Sequence, residues 1–265
     1  MPTYAESKLL QDMKIAIIGA GNMGGATALG LAAAFPDARI TVTAKHAATL
    51  EKYAERGLQT SLDNVAAARD AEIVVLGVKP WLAQGVLQQL HGALGGKILI
   101  SLVAGVPADE MRGWLSGTGL TGAYTVIPNL AIEYRESMTF IHELSGTSET
   151  LRTVQMLFDA VGRSAVVDER RLHAGMMLAS CGTAFALRYV RAAAEGGVEL
   201  GLYPREAVEA ALQTVKGAAV LLEARGTHPE AEIDRVTTPG GITIRGLNAM
   251  EAAGFTAAVI AGLKV

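Results

Sequence analysis

Hydrophobic positions along this chain come in two textures, and the change between them divides it. From Lys14 to Val167, short apolar runs recur at regular intervals. Lys14–Ile18, Arg39–Thr43, Ile73–Val78, Ile98–Leu102, Tyr124–Ile127, Met138–Ile141 and Ala165–Val167 predict strands. Unbroken runs such as Ile73-Val74-Val75-Leu76 belong to strands buried on both faces, as in parallel sheets. Between them, Ala26–Ala34, Ala47–Arg56, Trp81–Leu94, a segment opened by Pro107, and Thr150–Val161 predict helices. Gly57 is placed as a C-cap, and Asp109 and Glu110 put negative charge in a first helical turn, where the dipole favours it. Strand alternating with helix predicts a doubly wound parallel sheet.

Beyond Arg170 no strand pattern is found. Helical periodicity runs from about Arg171 to Leu200, from Pro204 to Ala224, and from Thr243 to Leu263 with a break near Gly254. Pro204 stands where proline is tolerated, at a first helical position. The expected organisation is an extension over residues 1–12, an α/β domain over 13–168 and an all-α domain over 169–265, with the boundary near Asp168. Helices this rich in Ala, Met and Leu are expected to pack against a second copy, as a homodimer or higher homo-oligomer.

Composition narrows the class. Half of the residues are hydrophobic and only 18% are charged, yet no apolar run reaches a membrane span without a polar or glycine interruption. The surplus is therefore expected in subunit contacts. The first twelve residues lack the basic start and apolar centre of a secretory signal. A single cysteine, Cys181, allows no internal disulfide framework and fits a reducing compartment. A net charge of −3 without a basic cluster argues against nucleic acid. The expectation is a cytoplasmic protein that handles a small molecule, with no membrane, nucleic-acid or metal partner assigned.

The stretch Lys14-Ile15-Ala16-Ile17-Ile18-Gly19-Ala20-Gly21-Asn22-Met23-Gly24-Gly25 names the cofactor class. A buried strand runs into Gly19-x-Gly21-x-x-Gly24 and then into a small-residue helix, the Rossmann-type order. Gly19 makes the tight turn, Gly21 lets a pyrophosphate approach the backbone, and Gly24 lets helix pack on strand. Free N–H groups at Asn22 and Met23 and the helix dipole then face the phosphates. An isolated GxGxxG is weak evidence; strand, turn and helix in sequence make this a dinucleotide site. NAD enzymes of this fold place an acid after the second strand to bind the ribose 2′-hydroxyl. Here Thr41-Val42-Thr43-Ala44-Lys45-His46 contains none and offers Thr43 and Lys45, a hydroxyl and a cation suited to a 2′-phosphate. NADPH is expected, with NADH the alternative.

The chemistry is harder to place. A nicotinamide enzyme acting on a carbonyl or alcohol needs an acid or base at the substrate oxygen. The β-hydroxyacid dehydrogenases, similar in their first domain, use a Lys on the first long helix of the second. Between Leu172 and Leu187 the only titratable side chains here are His173 and Cys181. Each has an ordinary reading, a surface or capping histidine and a small packing residue. Reduction of a C=N bond asks less, because a protonated imine is already electrophilic and already carries its proton. A second informative stretch is Val236-Thr237-Thr238-Pro239-Gly240-Gly241-Ile242-Thr243. Pro-Gly-Gly breaks regular structure just before a helix. Its N–H groups with the Thr238 and Thr243 hydroxyls would suit a carboxylate, and Thr243 as a plain N-cap is the competing reading.

The order GxGxxG, then Val75-Leu76-Gly77-Val78-Lys79-Pro80, then Pro239-Gly240-Gly241-Ile242-Thr243 through Glu251, Gly254 and Phe255 resembles the pyrroline-5-carboxylate reductase family. The resemblance covers almost the whole chain from Met13 to Leu263. It implies NAD(P)H-dependent reduction of (S)-1-pyrroline-5-carboxylate to L-proline, the last step of proline biosynthesis. It further implies Thr243 at the substrate nitrogen, Thr238, Gly240 and Gly241 on its carboxylate, and Val78, Lys79, Pro80 and Asn129 beside the cofactor. Two segments depart from the family pattern. Ile127-Pro128-Asn129-Leu130-Ala131 keeps Pro-Asn but lacks the following Thr-Pro, and Ser180-Cys181-Gly182-Thr183-Ala184 carries Cys181 where the family has serine. Beside this reading stand a β-hydroxyacid dehydrogenase, a reductase of a related cyclic imine and a non-catalytic NADP(H)-binding regulator.

Overall fold

The structure, a computed structural model, describes residues 13–265; the extension expected over residues 1–12 lies outside them. By its internal contacts the chain divides into two units, one ending at Ser180 and the other beginning at Cys181.

The first unit is an eight-stranded sheet in the order β3-β2-β1-β4-β5-β6-β7-β8. Its strands are β1 (Lys14–Ile18), β2 (Arg39–Thr43), β3 (Gln59–Ser61), β4 (Ile73–Leu76), β5 (Ile98–Ser101), β6 (Gly122–Ile127), β7 (Ser137–Ser145) and β8 (Gly162–Val166). The helices between them are α1 (Asn22–Ala34), α2 (Ala47–Ala54), α3 (Asn64–Asp70), α4 (Pro80–Leu90), α5 (Ala108–Leu115) and α6 (Ser148–Asp159). Strands β1 to β6 are parallel, as the unbroken apolar runs predict.

Full parallelism does not extend to the edge. β7 runs antiparallel to β6 and β8 parallel to β7. The link from β6 to β7 holds only a short turn of 3₁₀ helix, Leu130–Tyr134, which cannot carry the chain back across the sheet. Neighbouring strands joined so briefly must run antiparallel.

Alternation along β1 builds two cores. Ile15 and Ile17 face one side with Leu31 of α1, Tyr53 of α2 and Phe158 of α6. Ala16 and Ile18 face the other with Ala68 of α3, Leu87 and Leu90 of α4 and Met111 of α5. Burying each such Leu or Ile stabilises by about 1.5–3 kcal/mol, and the sheet is anchored on both faces.

Smaller differences have local causes. β3 and α3 carry too little apolar periodicity to be read from sequence; Asp63 starts α3 by accepting the Val65 and Ala66 N–H groups. α2 stops at Ala54, short of Gly57, which sits at φ +82° in the turn beyond. α4 ends at Leu90 and a short 3₁₀ turn completes the span to Ala93.

Just past the boundary expected near Asp168, one helix groups by its contacts with the sheet. α7 (Glu169–Gly175) belongs to the first unit: Gly175 lies so close to the Phe140 ring that a Cβ there would sit 2.4 Å from it. The helix expected from Arg171 to Leu200 is not uniform. It passes from α7 through a π-helical stretch, Met176–Cys181, into α8 (Gly182–Glu199).

The second unit comprises α8, α9 (Pro204–Arg225), α10 (Pro229–Val236), α11 (Ile242–Ala252) and α12 (Phe255–Leu263). Pro204 is at the first position of α9, and Gly254, at φ +84°, makes the break between α11 and α12. α10 escapes the apolar periodicity because half of its residues are charged. Its Glu232 is nearly buried and pairs with Arg225, with Arg235 at 3.0 Å and with the Thr227 hydroxyl at 2.5 Å. The Thr227 hydrogen bond, then the two guanidinium groups, hold its carboxyl below the usual range. No helix of the described residues is by itself long and apolar enough to cross a membrane.

A lowered carboxyl contributes stability above its unfolded pKa and loses it as pH falls through the folded value. Glu232→Gln should therefore lower the thermal midpoint at neutral pH. Scans at successively lower pH should bring variant and wild type together once the wild-type carboxyl is protonated.

Candidate dinucleotide and substrate sites

Three predicted segments meet at the carboxyl ends of adjacent strands. Gly19–Gly24 follows β1, Thr43–Lys45 follows β2, and Val78–Pro80 follows β4, where the strand order reverses. In doubly wound sheets this is where dinucleotides lie. Gly19 takes φ +104°, a conformation costly for any other residue, and its N–H donates to the Thr43 hydroxyl at 3.2 Å. A Cβ on Gly24 would stand 2.1 Å from the Gly19 carbonyl oxygen. Gly24 is thus dictated by the protein's own packing.

Gly21 is different. A Cβ there would meet nothing nearer than the Gly77 oxygen at 3.8 Å, an ordinary contact. The fold leaves open the space that a pyrophosphate approaching Gly21 requires. Gly21 is also the N-cap of α1, with no side chain capping it and no acid in the first turn. The N–H groups of Asn22 and Met23 are left for an anion. These residues fit a dinucleotide.

The other predicted cofactor residues separate into two groups. Lys45 is exposed in the turn after β2, while Lys79 caps α4 and Pro80 opens it, both exposed. Thr43 and Asn129 point inward; the Thr43 side chain is corrected to an internal role, and the Asn129 amide makes two internal hydrogen bonds. Thr43 is fully buried; its hydroxyl accepts from Gly19 and donates to Asn64 Oδ1 at 2.6 Å, so it braces the glycine turn and is not free for a 2′-phosphate. Asn129 Oδ1 accepts the Ala131 N–H at 3.0 Å and Nδ2 donates to the Ala179 carbonyl at 3.3 Å. Gly77 and Asn64 complete the turn and were not singled out from sequence. Gly77 stood in plain view in the Leu76-Gly77-Val78 run, whereas Asn64 carries no local signal.

Further along the same sheet edge lies a cavity of about 210 Å³. The loop after β5 (Ala104–Pro107), Thr125 and Ile127 of β6, and Glu169, His173 and Met176 form its walls. Glu169 Oε1 accepts the Ala108 N–H at 2.7 Å, capping α5 from a distant segment. Of the two titratable candidates, His173 lines this cavity, and Cys181 ends the π-helical stretch, partly exposed.

In the second unit, Thr238-Pro239-Gly240-Gly241 forms the predicted turn. Gly240 has φ +70°, and the Gly241 N–H donates to the Thr238 carbonyl at 2.9 Å. That N–H is spent inside the turn, so the open donors are those of the first helical residues. The N-cap of α11 is Gly241, not Thr243, and no side chain caps the helix. Thr238 and Thr243 are both exposed on this lip. Hydroxyls beside an uncapped helix start suit a carboxylate. Among the described residues no group of three or more His, Cys, Asp or Glu side chains is placed to hold a metal.

Comparison with known proteins finds two families, one in each part of the chain. Residues 169–265 match a family described as pyrroline-5-carboxylate reductase dimerisation. Residues 14–105 match one described as NADP oxidoreductase, coenzyme F420-dependent. A pyrroline-5-carboxylate reductase 2 of Dictyostelium discoideum is 38% identical, across 96% of this chain and 91% of that protein. The solved structure of a pyrroline-5-carboxylate reductase from Coxiella burnetii superposes with a TM-score of 0.84 at 27% identity, covering 95% of each chain. A pyrroline carboxylate reductase from Plasmodium falciparum, solved with NADP bound, superposes at 0.85 over 96% of this chain and 95% of that one. At 24% identity it speaks for the fold alone.

The contrast between the two glycines is testable. Gly24→Ala should destabilise the fold by about 1–3 kcal/mol through overpacking, read in thermal melts. Gly21→Ala should melt like wild type yet bind NADPH at least about tenfold more weakly, about 1.4 kcal/mol, by fluorescence titration.

Proposed function

The chain belongs to the pyrroline-5-carboxylate reductase family, and from that premise we propose that it reduces (S)-1-pyrroline-5-carboxylate to L-proline with NADPH. The observation that carries the reading is the Thr238–Gly241 turn opening an uncapped α11, on a chain that also carries the glycine turn before α1. One site is built for an anionic dinucleotide and the other for a small carboxylate.

When bound, NADPH supplies the hydride. The protein's part is orientation and charge. Gly19, Gly21 and Gly24 shape the pyrophosphate turn, and the Asn22 and Met23 N–H groups meet its charge. Lys45 supplies the cation for a 2′-phosphate where an acid would favour NADH. On the substrate side, Thr238, Gly240 and the first N–H groups of α11 hold the carboxylate, and the Thr243 hydroxyl hydrogen-bonds at the ring nitrogen. Gly241 contributes by shaping the turn. Held this way, the iminium carbon is presented for attack and the barrier falls mainly through positioning. Product formation places the enzyme at the terminal step that makes proline.

The assembly is a homodimer or larger. Val190, Ala194 and Ala207 are the buried apolar side chains of the second unit, while Leu187, Leu200, Leu212, Val220, Val259 and Ile260 are exposed. Helices so little buried on themselves need a partner surface. The lone cysteine fits the cytoplasm.

Pyrroline-5-carboxylate should drive loss of the reduced nicotinamide's near-ultraviolet absorbance. Thr243→Ala should cut kcat/KM by at least about tenfold, the cost of one lost transition-state hydrogen bond. NADPH binding without turnover would favour a different imine or a regulator. Light scattering at micromolar concentration should give at least a dimer mass; a monomer would overturn the assembly.

A further inference from the structure

We propose that Leu62 and Leu82 are the two walls of a slot that takes the adenine base of the dinucleotide; this rests on the dinucleotide reading above. In doubly wound sheets the ribose that carries the 2′ substituent lies at the end of the second strand. Here that is the turn after β2, where Lys45 is exposed. The base is bonded to the same ribose, one carbon from the 2′ position. It must therefore lie against one face of the sheet, close to β2.

One face is already filled. Tyr53 is buried there, and its hydroxyl stands where a Cβ on Gly25 would have to go. The other face carries an uncovered apolar strip at the starts of α3 and α4. Val65, Val78 and Val86 are its floor, each partly buried against the core of that face. Leu62 and Leu82 stand at its sides, 60% and 51% exposed. A helix turns about 100° per residue. With Ala83, Leu87 and Leu90 against the sheet, Leu82 lies about a quarter turn round, on the flank it shares with Val86. Right-handed crossovers from β3 to β4 and from β4 to β5 set that flank toward α3. Trp81 is more exposed still, but the same rotation directs it away from the sheet.

Neither leucine sits on loose backbone. The Asp63 N–H donates to Ser61 Oγ at 3.0 Å, and Asp63 Oδ1 accepts the Val65 and Ala66 N–H groups at 2.9 and 3.0 Å. The turn that carries Leu62 is thereby fixed. Asn64 Oδ1 takes the Thr43 hydroxyl at 2.6 Å and ties that turn to the end of β2, beside the ribose position. The Leu82 N–H donates to the Lys79 carbonyl at 2.9 Å within the first turn of α4. Both side chains therefore hold apolar surface open to water on preorganised backbone. A flat base laid between them covers that surface without an ordering cost. An uncharged purine suits such walls, whereas the pyrophosphate is met by the N–H groups of Asn22 and Met23.

The experiment is titration calorimetry with adenosine 5′-monophosphate and adenosine 2′,5′-bisphosphate. Wild type is compared with Leu62→Ala, Leu82→Ala, Lys45→Ala and Trp81→Ala, and equal thermal midpoints show that all of them fold. Each leucine variant should bind both nucleotides about three- to tenfold more weakly, by the same factor for the two, because the base is common to them. Their affinity for NADPH should fall by that factor as well. Lys45→Ala should weaken the bisphosphate alone, and Trp81→Ala should change neither by more than about twofold. Unchanged affinities in both leucine variants, a loss confined to the bisphosphate, or a loss found in Trp81→Ala instead overturns the proposal. A wild type that binds neither nucleotide nor NADPH defeats the dinucleotide reading and takes the proposal with it. NADPH binding without imine turnover counts against the reductase reading alone, since no titration here needs turnover.

Discussion

The approach of α1 to the turn after β1 is the constraint on which the rest of the first unit depends. Gly24 packs so near the Gly19 carbonyl that no side chain fits between them. That closeness sets the axis of α1, points its uncapped end past the strand, and fixes where an anion can bind. Thr43 reinforces it from the neighbouring strand: its backbone carbonyl takes the Ala20 N–H at 2.7 Å while its hydroxyl takes that of Gly19. A buried hydroxyl with both partners satisfied stabilises; one left without them would cost about 1–3 kcal/mol. The turn is therefore held from two sides, and of Gly19, Gly21 and Gly24 only Gly21 has open space beside it.

The two candidate sites share one device, an uncapped helix start behind a glycine turn, suited in one place to a pyrophosphate and in the other to a carboxylate. Both rely on backbone N–H groups, which carry no titratable charge and cost little to preorganise. Such a protein fits imine reduction, where the substrate brings its own positive charge. It fits carbonyl chemistry poorly, because no lysine stands on the helix where the hydroxyacid dehydrogenases keep theirs.

Where the chemistry of the backbone decided the outcome, sequence was a good guide. The Gly19-x-Gly21-x-x-Gly24 run, the parallel strands through β6 and the Thr238–Thr243 turn all rest on local glycine, proline and β-branched patterns. What escaped was tertiary. The reversal at β7 depends on the length of one connection, the inward turn of Thr43 on a partner twenty-one residues away, and the attachment of α7 to the sheet on Gly175 meeting Phe140. The π-helical stretch Met176–Cys181 has an ordinary helical composition, so nothing local announces it. Such stretches concentrate at functional sites, and this one adjoins His173.

The segments that lead into the two departures from the family pattern are hydrogen-bonded to each other. Leu130-Ala131 and Ser180-Cys181 lie fifty residues apart, yet Asn129 Nδ2 donates to the Ala179 carbonyl and its Oδ1 holds the Ala131 N–H. A single amide thus ties the start of the 3₁₀ turn to the π-helical stretch. The Asn129 backbone N–H in turn donates to Ser137 Oγ at 3.1 Å, fixing the pair to the first residue of β7. Changes on either side of such a seam are coupled, since each segment's position sets the other's hydrogen-bond geometry. The Leu130 side chain, half exposed, lies outside that set of hydrogen bonds.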